Sequence, residues 1–239
     1  MKKITIILLG AIVLLNACMW NGHRVKGNGK VRTESKQFGD VTGVELHASF
    51  DVYISEGSPA GVRIEAEENI IPHIEMHVLN GVLNIEEEDN IRLRPRKPVK
   101  IYVTSPGYSK IQVHSSGNII GQTKITNDTK LDLSVSGSGE LKLDVDAPEI
   151  EANVSGSGEM HLSGDTKKIS GDVTGSGEIK AINLKSEEAN LQVSGSGSID
   201  VYASVKLDAS ISGSGYVRYK GEAQVNTNIS GSGYVKKAD

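Results

Sequence analysis

One phrase is written six times in the second half of this chain: an aliphatic residue, then SGSG or TGSG, then a variable residue and usually another aliphatic one. The copies start at Val135, Val154, Val173, Val193, Ile211 and Ile229, in steps of 19, 19, 20, 18 and 18 residues. A degenerate copy, VHSSGNI, starts at Val113, 22 residues before the first. A unit this short cannot bury an apolar face alone, so the copies have to stack on one another.

The flanks of the motif say how they stack. Leu131, Leu133 and Val135 alternate with Asp132 and Ser134; Ile150, Ala152 and Val154 alternate with Glu151 and Asn153; Leu207, Ala209 and Ile211 alternate with Asp208 and Ser210. Period-two alternation marks a strand with one buried face. The same pattern resumes after the motif in Leu141, Leu143 and Val145 and in Ile199, Val201 and Ala203. Each unit therefore reads as strand, SGSG corner, strand and polar turn, and the expected fold is all-β, a right-handed parallel β-helix.

The glycines then have a mechanical reading. Gly137, Gly156, Gly175, Gly195, Gly213 and Gly231 are expected to form one column of structural corners, and Gly139, Gly158, Gly177, Gly197, Gly215 and Gly233 a second. A corner that folds the chain back needs backbone angles that a Cβ disfavours. The serines between them are expected to ladder from rung to rung. A glycine-rich phosphate cradle is the rival reading, but such loops occur once and lead into a helix.

The first residues carry a separate signal. Lys2 and Lys3 precede an uncharged apolar run, Ile4 to Leu15, too short to span a bilayer, followed by Asn16, Ala17 and the only cysteine, Cys18. This reads as a lipoprotein signal peptide over 1–17 with lipidation of Cys18 by acyl chains such as palmitate, since a lone cysteine forms no internal disulfide. The partner implied is a membrane, reached through the lipid anchor, and the expected location is the bacterial cell envelope, at the outer membrane. Residues 18–37 read as a linker, 38–112 as an N-terminal β region that caps the solenoid, and 113–239 as the repeat solenoid. Within the cap, Val44–Ala48, Phe50–Ile54 and Val62–Ala66 read as strands, and Glu75–Leu79 with Val82–Glu86 as a hairpin over Asn80-Gly81.

Several function classes fall away. The net charge of −4 is spread along the chain, and the one basic stretch, Arg92, Arg94, Arg96, Lys97 and Lys100, is interleaved with prolines and reads as a solvated loop, so no nucleic-acid partner is expected. Aromatic content is 4%, so the core must be aliphatic and stacking platforms few. No nucleophile motif and no tight ligand spacing appears among the six histidines apart from His73 and His77, so neither catalytic residues nor a cofactor or metal are expected. Glu140, Glu159 and Glu178 follow the first three corners and at rung spacing would repel; a solvated, screened column is the expected reading and a bound divalent cation its rival. Tyr216, Tyr219 and Tyr234 cluster in the last two units as a C-terminal cap or a contact patch for a glycan or protein.

From about Phe38 onward the chain resembles the head GIN domain family of putative auto-transporter adhesins. The resemblance rests on FGDVTGVELHASFDVYISEG, VLNGVLNIEEE, VKIYVTSPGYSKIQVHSSGNI and the closing ISGSGYVRYKGEAQVNTNISGSGYV. It implies a β-helical fold and an envelope location. No membrane-barrel segment follows the repeats here, so anchoring through Cys18 is expected in place of self-transport. The function expected is a non-catalytic, adhesin-like binding or structural module; a polysaccharide-acting β-helix enzyme and an envelope interaction or signalling module are the alternatives.

Overall fold

The computed structural model describes residues 23–238, so Cys18 and the apolar run before it lie outside the described residues. The N-terminal part holds β1 (His23–Lys26), β2 (Val31–Lys36), β3 (Gly43–Leu46), β4 (Asp51–Glu56), β5 (Gly61–Glu67), β6 (Ile74–Leu79), β7 (Val82–Glu87), β8 (Ile91–Arg94) and β9 (Lys100–Ser105). A single 3-10 turn, Ile71–His73, interrupts them around Pro72. The repeats supply β10 (Lys110–Val113), β11 (Asn118–Gly121), β12 (Ile125–Thr126), β13 (Lys130–Gly137), β14 (Glu140–Gly156), β15 (Glu159–Gly175) and β16 (Glu178–Gly195). They continue through β17 (Ser198–Gly213), β18 (Tyr216–Lys220), β19 (Gln224–Gly231) and β20 (Tyr234–Lys237).

Successive repeats pair in parallel with their corners aligned: Gly137 opposite Gly156, then Gly175, Gly195, Gly213 and Gly231. The result is a β-solenoid of about seven turns. Units of unequal length keep this register because the extra residues are absorbed away from the SGSG corner. Register shifts fall between His161 and Ser163, between Ala181 and Lys185, and between Ser186 and Glu188. The polar turn is a bend in a continuous strand, as in β14, where the pairing with β15 carries on through Asp146, Ala147 and Glu149.

The two glycine columns do different jobs. Gly156 takes φ +109°, and a Cβ there would lie 2.6 Å from the carbonyl oxygen of Gly137. Gly158 is not in the left-handed region. Its Cβ would meet Val135 Cγ1 at 2.5 Å and Gly139 O at 2.8 Å, so the second column is glycine because the chain presses against the core and the neighbouring corner. The rung-to-rung bonds at the corner also differ from expectation. They run through the backbone, Ser157 N donating to Gly137 O at 2.9 Å and Ser176 N to Gly156 O at 2.8 Å, while the side chains of both serines sit at exposed positions.

Aliphatic columns fill the interior from end to end. Val113, Val135, Val154, Val173, Val193 and Ile211 are all buried in line before the corner, and Ile119, Leu141, Met160, Ile179, Ile199 and Val217 after it. Burying each such side chain contributes about 1.5 to 3 kcal/mol, which is how a chain with two phenylalanines holds together.

Below the repeats the layers leave chain order. β3 and β4 form one layer, and β10 and β11 stack directly on it. The segment between them in sequence does not lie between them in space: β7 and β9 pair with the opposite edges of β3 and β4. The link from β9 to β10 must therefore pass across the β3–β4 layer. Tyr108 pins that passage from inside, its hydroxyl donating to Val103 O at 3.1 Å or Ser55 O at 3.2 Å. Burial pushes its phenol pKa up. The end is closed by antiparallel strands, β5 on β9, β2 on β5, and β6 on β7. The β6–β7 hairpin turns through Asn80 and Gly81 with φ of 52° and 78°, the two left-handed residues a type I′ turn requires.

Two N-terminal segments differ from their sequence reading. Residues 23–36, within the expected linker, hold β1 and β2; β2 covers the edge of β5 with a largely polar strand that gives no apolar alternation. The basic stretch expected as a solvated loop begins as β8, paired in parallel with β1, because Leu93 turns into the core. Glu67 ties this corner together. It is fully buried and accepts bonds from the backbone N–H groups of Arg96 at 2.7 Å, Lys97 at 3.3 Å and Gly29. Burial alone would raise its pKa, but the Arg96, Gly29 and Lys97 amides outweigh that and hold the carboxyl below its ordinary range.

Candidate binding face

The strands that follow the corners form one outer sheet face, and parallel register turns their outward residues into columns. One column reads Lys100, Asp51, Asn118, Glu140, Glu159, Glu178, Ser198, Tyr216 and Tyr234. Two residues further along the strands the next reads Tyr102, Tyr53, Ile120, Lys142, His161, Lys180, Asp200, Arg218 and Lys236.

Two of the three glutamates expected to repel one another pair with Lys180 of this second column, and His161 stands between Glu140 and Glu159. Lys180 Nζ lies 2.7 Å from Glu159 and 3.1 Å from Glu178, and His161 Nε2 lies 3.1 Å from Glu159 and 3.6 Å from Glu140. The bonds from Lys180 and His161 hold the Glu159 carboxyl below its usual range, and Glu159 in turn holds Lys180 above its own. Lys180 and His161 thus bridge carboxylates of neighbouring rungs in the middle of the face.

Aromatic platforms stand at both ends of it. Tyr53 and Tyr102 stack at 5.1 Å, with the Arg63 guanidinium 3.8 Å from the Tyr102 ring centre. Tyr216 and Tyr234 stack at 5.3 Å, with Arg218 5.5 Å from the Tyr216 centre and paired to Asp200. Six rungs separate Tyr53 from Tyr216 along the stack, about 29 Å at strand spacing. Tyr219 does not join them. It sits three residues from Tyr216, and odd spacing on a strand turns it inward, where it packs against the core.

The expected corner glycines lie along one edge of this face, from Gly137 and Gly139 to Gly231 and Gly233. The opposite edge, where the polar turns stack, carries an open groove of about 670 Å³ lined by Asp146, Asp165, Lys167, Lys185, Glu187 and their neighbours. Lys124 Nζ lies 3.8 Å from Asp165 there. Among the described residues, every buried side-chain nitrogen or oxygen has a hydrogen-bond partner.

The two histidines close in sequence are separated in function: His73 Nδ1 pairs with Glu88 at 2.6 Å and His77 Nδ1 with Glu86 at 3.2 Å. Two histidines 67 residues apart are instead brought together on the face before the corners. His47 and His114 stack with ring centres 4.6 Å apart and planes 9° apart, beside Glu45. Burial and the neighbouring His47 charge both push the His114 pKa down.

The described residues thus form a capped parallel β-solenoid with laddered polar faces and open, shallow depressions. The chain belongs to the family described as "Putative auto-transporter adhesin, head GIN domain", which it matches over residues 40–223. No curated protein matches it. Among solved structures it is similar to a putative adhesin from Bacteroides fragilis, at 22% identity and TM-score 0.85, covering 90% of this chain and 100% of that one. It is also similar to a putative lipid binding protein from Parabacteroides distasonis, at 26% identity and TM-score 0.76, with the same coverage of 90% and 100%. A putative adhesin from Parabacteroides merdae aligns at 21% identity and TM-score 0.72, covering 91% and 100%. The family and these neighbours carry adhesin or lipid-binding names and no enzyme name.

Proposed function

We propose that the protein is a non-catalytic, lipid-anchored module of the bacterial cell envelope that holds an extended ligand, a surface glycan chain, along the face after the corners. The observation that carries this reading is the pair of stacked tyrosine platforms, each with a guanidinium beside it, about 29 Å apart on one rigid face. Tyrosine offers a flat apolar ring and a polar tip at little entropic cost. Two platforms joined by a rigid spacer give avidity to individually weak contacts. The interior is packed with aliphatic side chains, so even a lipid would meet the surface of this molecule and not its inside.

The enzyme alternative needs convergent acids and bases in a groove. On the face Glu159 and Glu178 are paired with Lys180 and Asp200 with Arg218, and Asp165 at the groove has Lys124 within 3.8 Å.

Retention of polysaccharide and envelope extracts on immobilised protein tests the reading. Tyr53→Ala and Tyr216→Ala should each weaken retention about two- to tenfold, and the double variant by more than either. Retention unchanged in the double variant, or soluble products released from a polysaccharide by the wild type and abolished by one carboxylate substitution, would overturn it.

The anchor is tested separately. Cys18→Ser should release the protein into the soluble fraction or leave it unprocessed at precursor size. A mature-sized Cys18→Ser chain that still sediments with membranes would remove lipidation from the proposal.

A further inference from the structure

We infer that Glu45, His47 and His114 form a binding site for a divalent transition-metal ion of the zinc class, on the outer face where β3 meets β10. Among the described residues this is the only group of three or more metal-competent side chains whose donor atoms converge, all within 4.8 Å of one another. The set is two imidazoles and one carboxylate, the donor chemistry that suits zinc and its neighbours and not calcium or magnesium, which take oxygen ligands.

The register builds the site. β10 lies parallel on β3 with Gln112 opposite Glu45 and Val113 opposite Leu46, so the next outward positions, His47 and His114, face each other across the rungs. Glu45 stands two residues before His47 on the same outward side of β3. The surroundings hold these donors in place. Lys110 Nζ takes Glu45 Oε1 at 2.6 Å, while Glu45 Oε2 lies 3.6 Å from His47 Nε2. Gln112 Oε1 lies 3.2 Å from His114 Nε2 and steadies that ring. Partners of this kind orient ligating carboxylates and imidazoles in metal sites. Donor atoms of a tetrahedral zinc site sit about 2.0 to 2.2 Å from the metal, so modest side-chain rotation closes the group around an ion. Three protein donors leave the fourth position to water or to an oxygen of a ligand.

The site lies on the sheet before the corners and is independent of the tyrosine platforms. In the columns above it the positions of His47 and His114 are taken by Ser136, Ser155, Thr174, Ser194, Ser212 and Ser230, so the repeat pattern accounts for neither histidine.

Titration of the full-length protein with zinc chloride by calorimetry tests the inference, with cobalt absorption as a second readout of coordination. The wild type should bind one ion per chain at this site, and the Co2+ form should show the visible bands of a low-coordinate complex. His47→Ala and His114→Gln should each weaken zinc by more than the roughly 10- to 100-fold that loss of an outer-sphere partner costs. His73→Ala, which removes an imidazole paired to Glu88, should leave affinity unchanged. Each variant is checked for an unaltered melting temperature without metal; both target rings sit at exposed positions, and a variant that unfolds is replaced by its alanine or glutamine counterpart. Equal zinc affinity in the wild type and the His47→Ala/His114→Gln double variant would overturn the assignment, as would absence of a one-to-one site in the wild type.

Discussion

Gly156→Val is expected to destabilise the solenoid by about 3 kcal/mol or more. Two costs combine at this position. A β-branched residue at φ +109° is strained by itself, and its Cβ would stand 2.6 Å from the Gly137 carbonyl oxygen, the atom that accepts the Ser157 N–H. Relieving the contact means opening the corner and losing that bond. For a domain of this size the melting temperature should fall by roughly 6 to 12 °C. Glu151→Gln is the control: it keeps the shape of an exposed side chain paired with Lys130 and should cost under about 0.5 kcal/mol. Thermal melts of the two variants that coincide would show that the corner tolerates a side chain.

Glu67→Gln should cost about 3 kcal/mol near neutral pH. The substitution keeps the volume but replaces a buried anion, bound by the amides of Arg96, Lys97 and Gly29, with a neutral amide whose NH2 group faces donors. The pH dependence follows from the direction of the Glu67 shift. Its folded pKa lies below the ordinary 4.5, so its contribution is fully present above that value and is lost as pH falls through the folded pKa. The stability gap between wild type and Glu67→Gln, measured by denaturant unfolding, should therefore be widest at neutral pH and shrink on acidification below about 4.5. A gap that stays constant or widens toward acid would mean that the carboxylate is not ionised in the folded protein.

The repeats were legible because six copies of one phrase fix both the unit and its alignment, and parallel register leaves nothing else to choose. The pairing of Glu140, Glu159 and Glu178 is not legible from their own column for a local reason. Their partners Lys180 and His161 lie two residues beyond the glutamates, in the next outward column, and a column considered alone omits its neighbour. Proximity along the chain groups Tyr219 with Tyr216, although odd spacing on a strand turns the two to opposite sides of the sheet. The glycine pairs suggest one cause in sequence where the structure shows two, a positive φ in the first and close packing in the second. His47 and His114 could not be joined from spacing, because their meeting depends on β10 stacking on β3 in place of the strands that immediately precede β10. Nothing in the local patterns of residues 43–121 announces that exchange.

That exchange sets an order of events for the newly made chain. A stack laid down in sequence can grow one layer at a time from its first residue, each layer templating the next. Here the layer Gly43–Glu56 is clasped between two later stretches, Val82–Ser105 beneath it and Lys110–Gly121 above it. It has no finished neighbour until about residue 105 has become available and is not enclosed until about residue 121, and loops of that length must close before any contact rewards them. The first half of the molecule therefore has to assemble as one cooperative knot of chain, after which the SGSG units can zip on singly. Shortening the protein by whole units from its far end leaves that knot intact, whereas a cut anywhere before Gly121 removes a wall of the clasp.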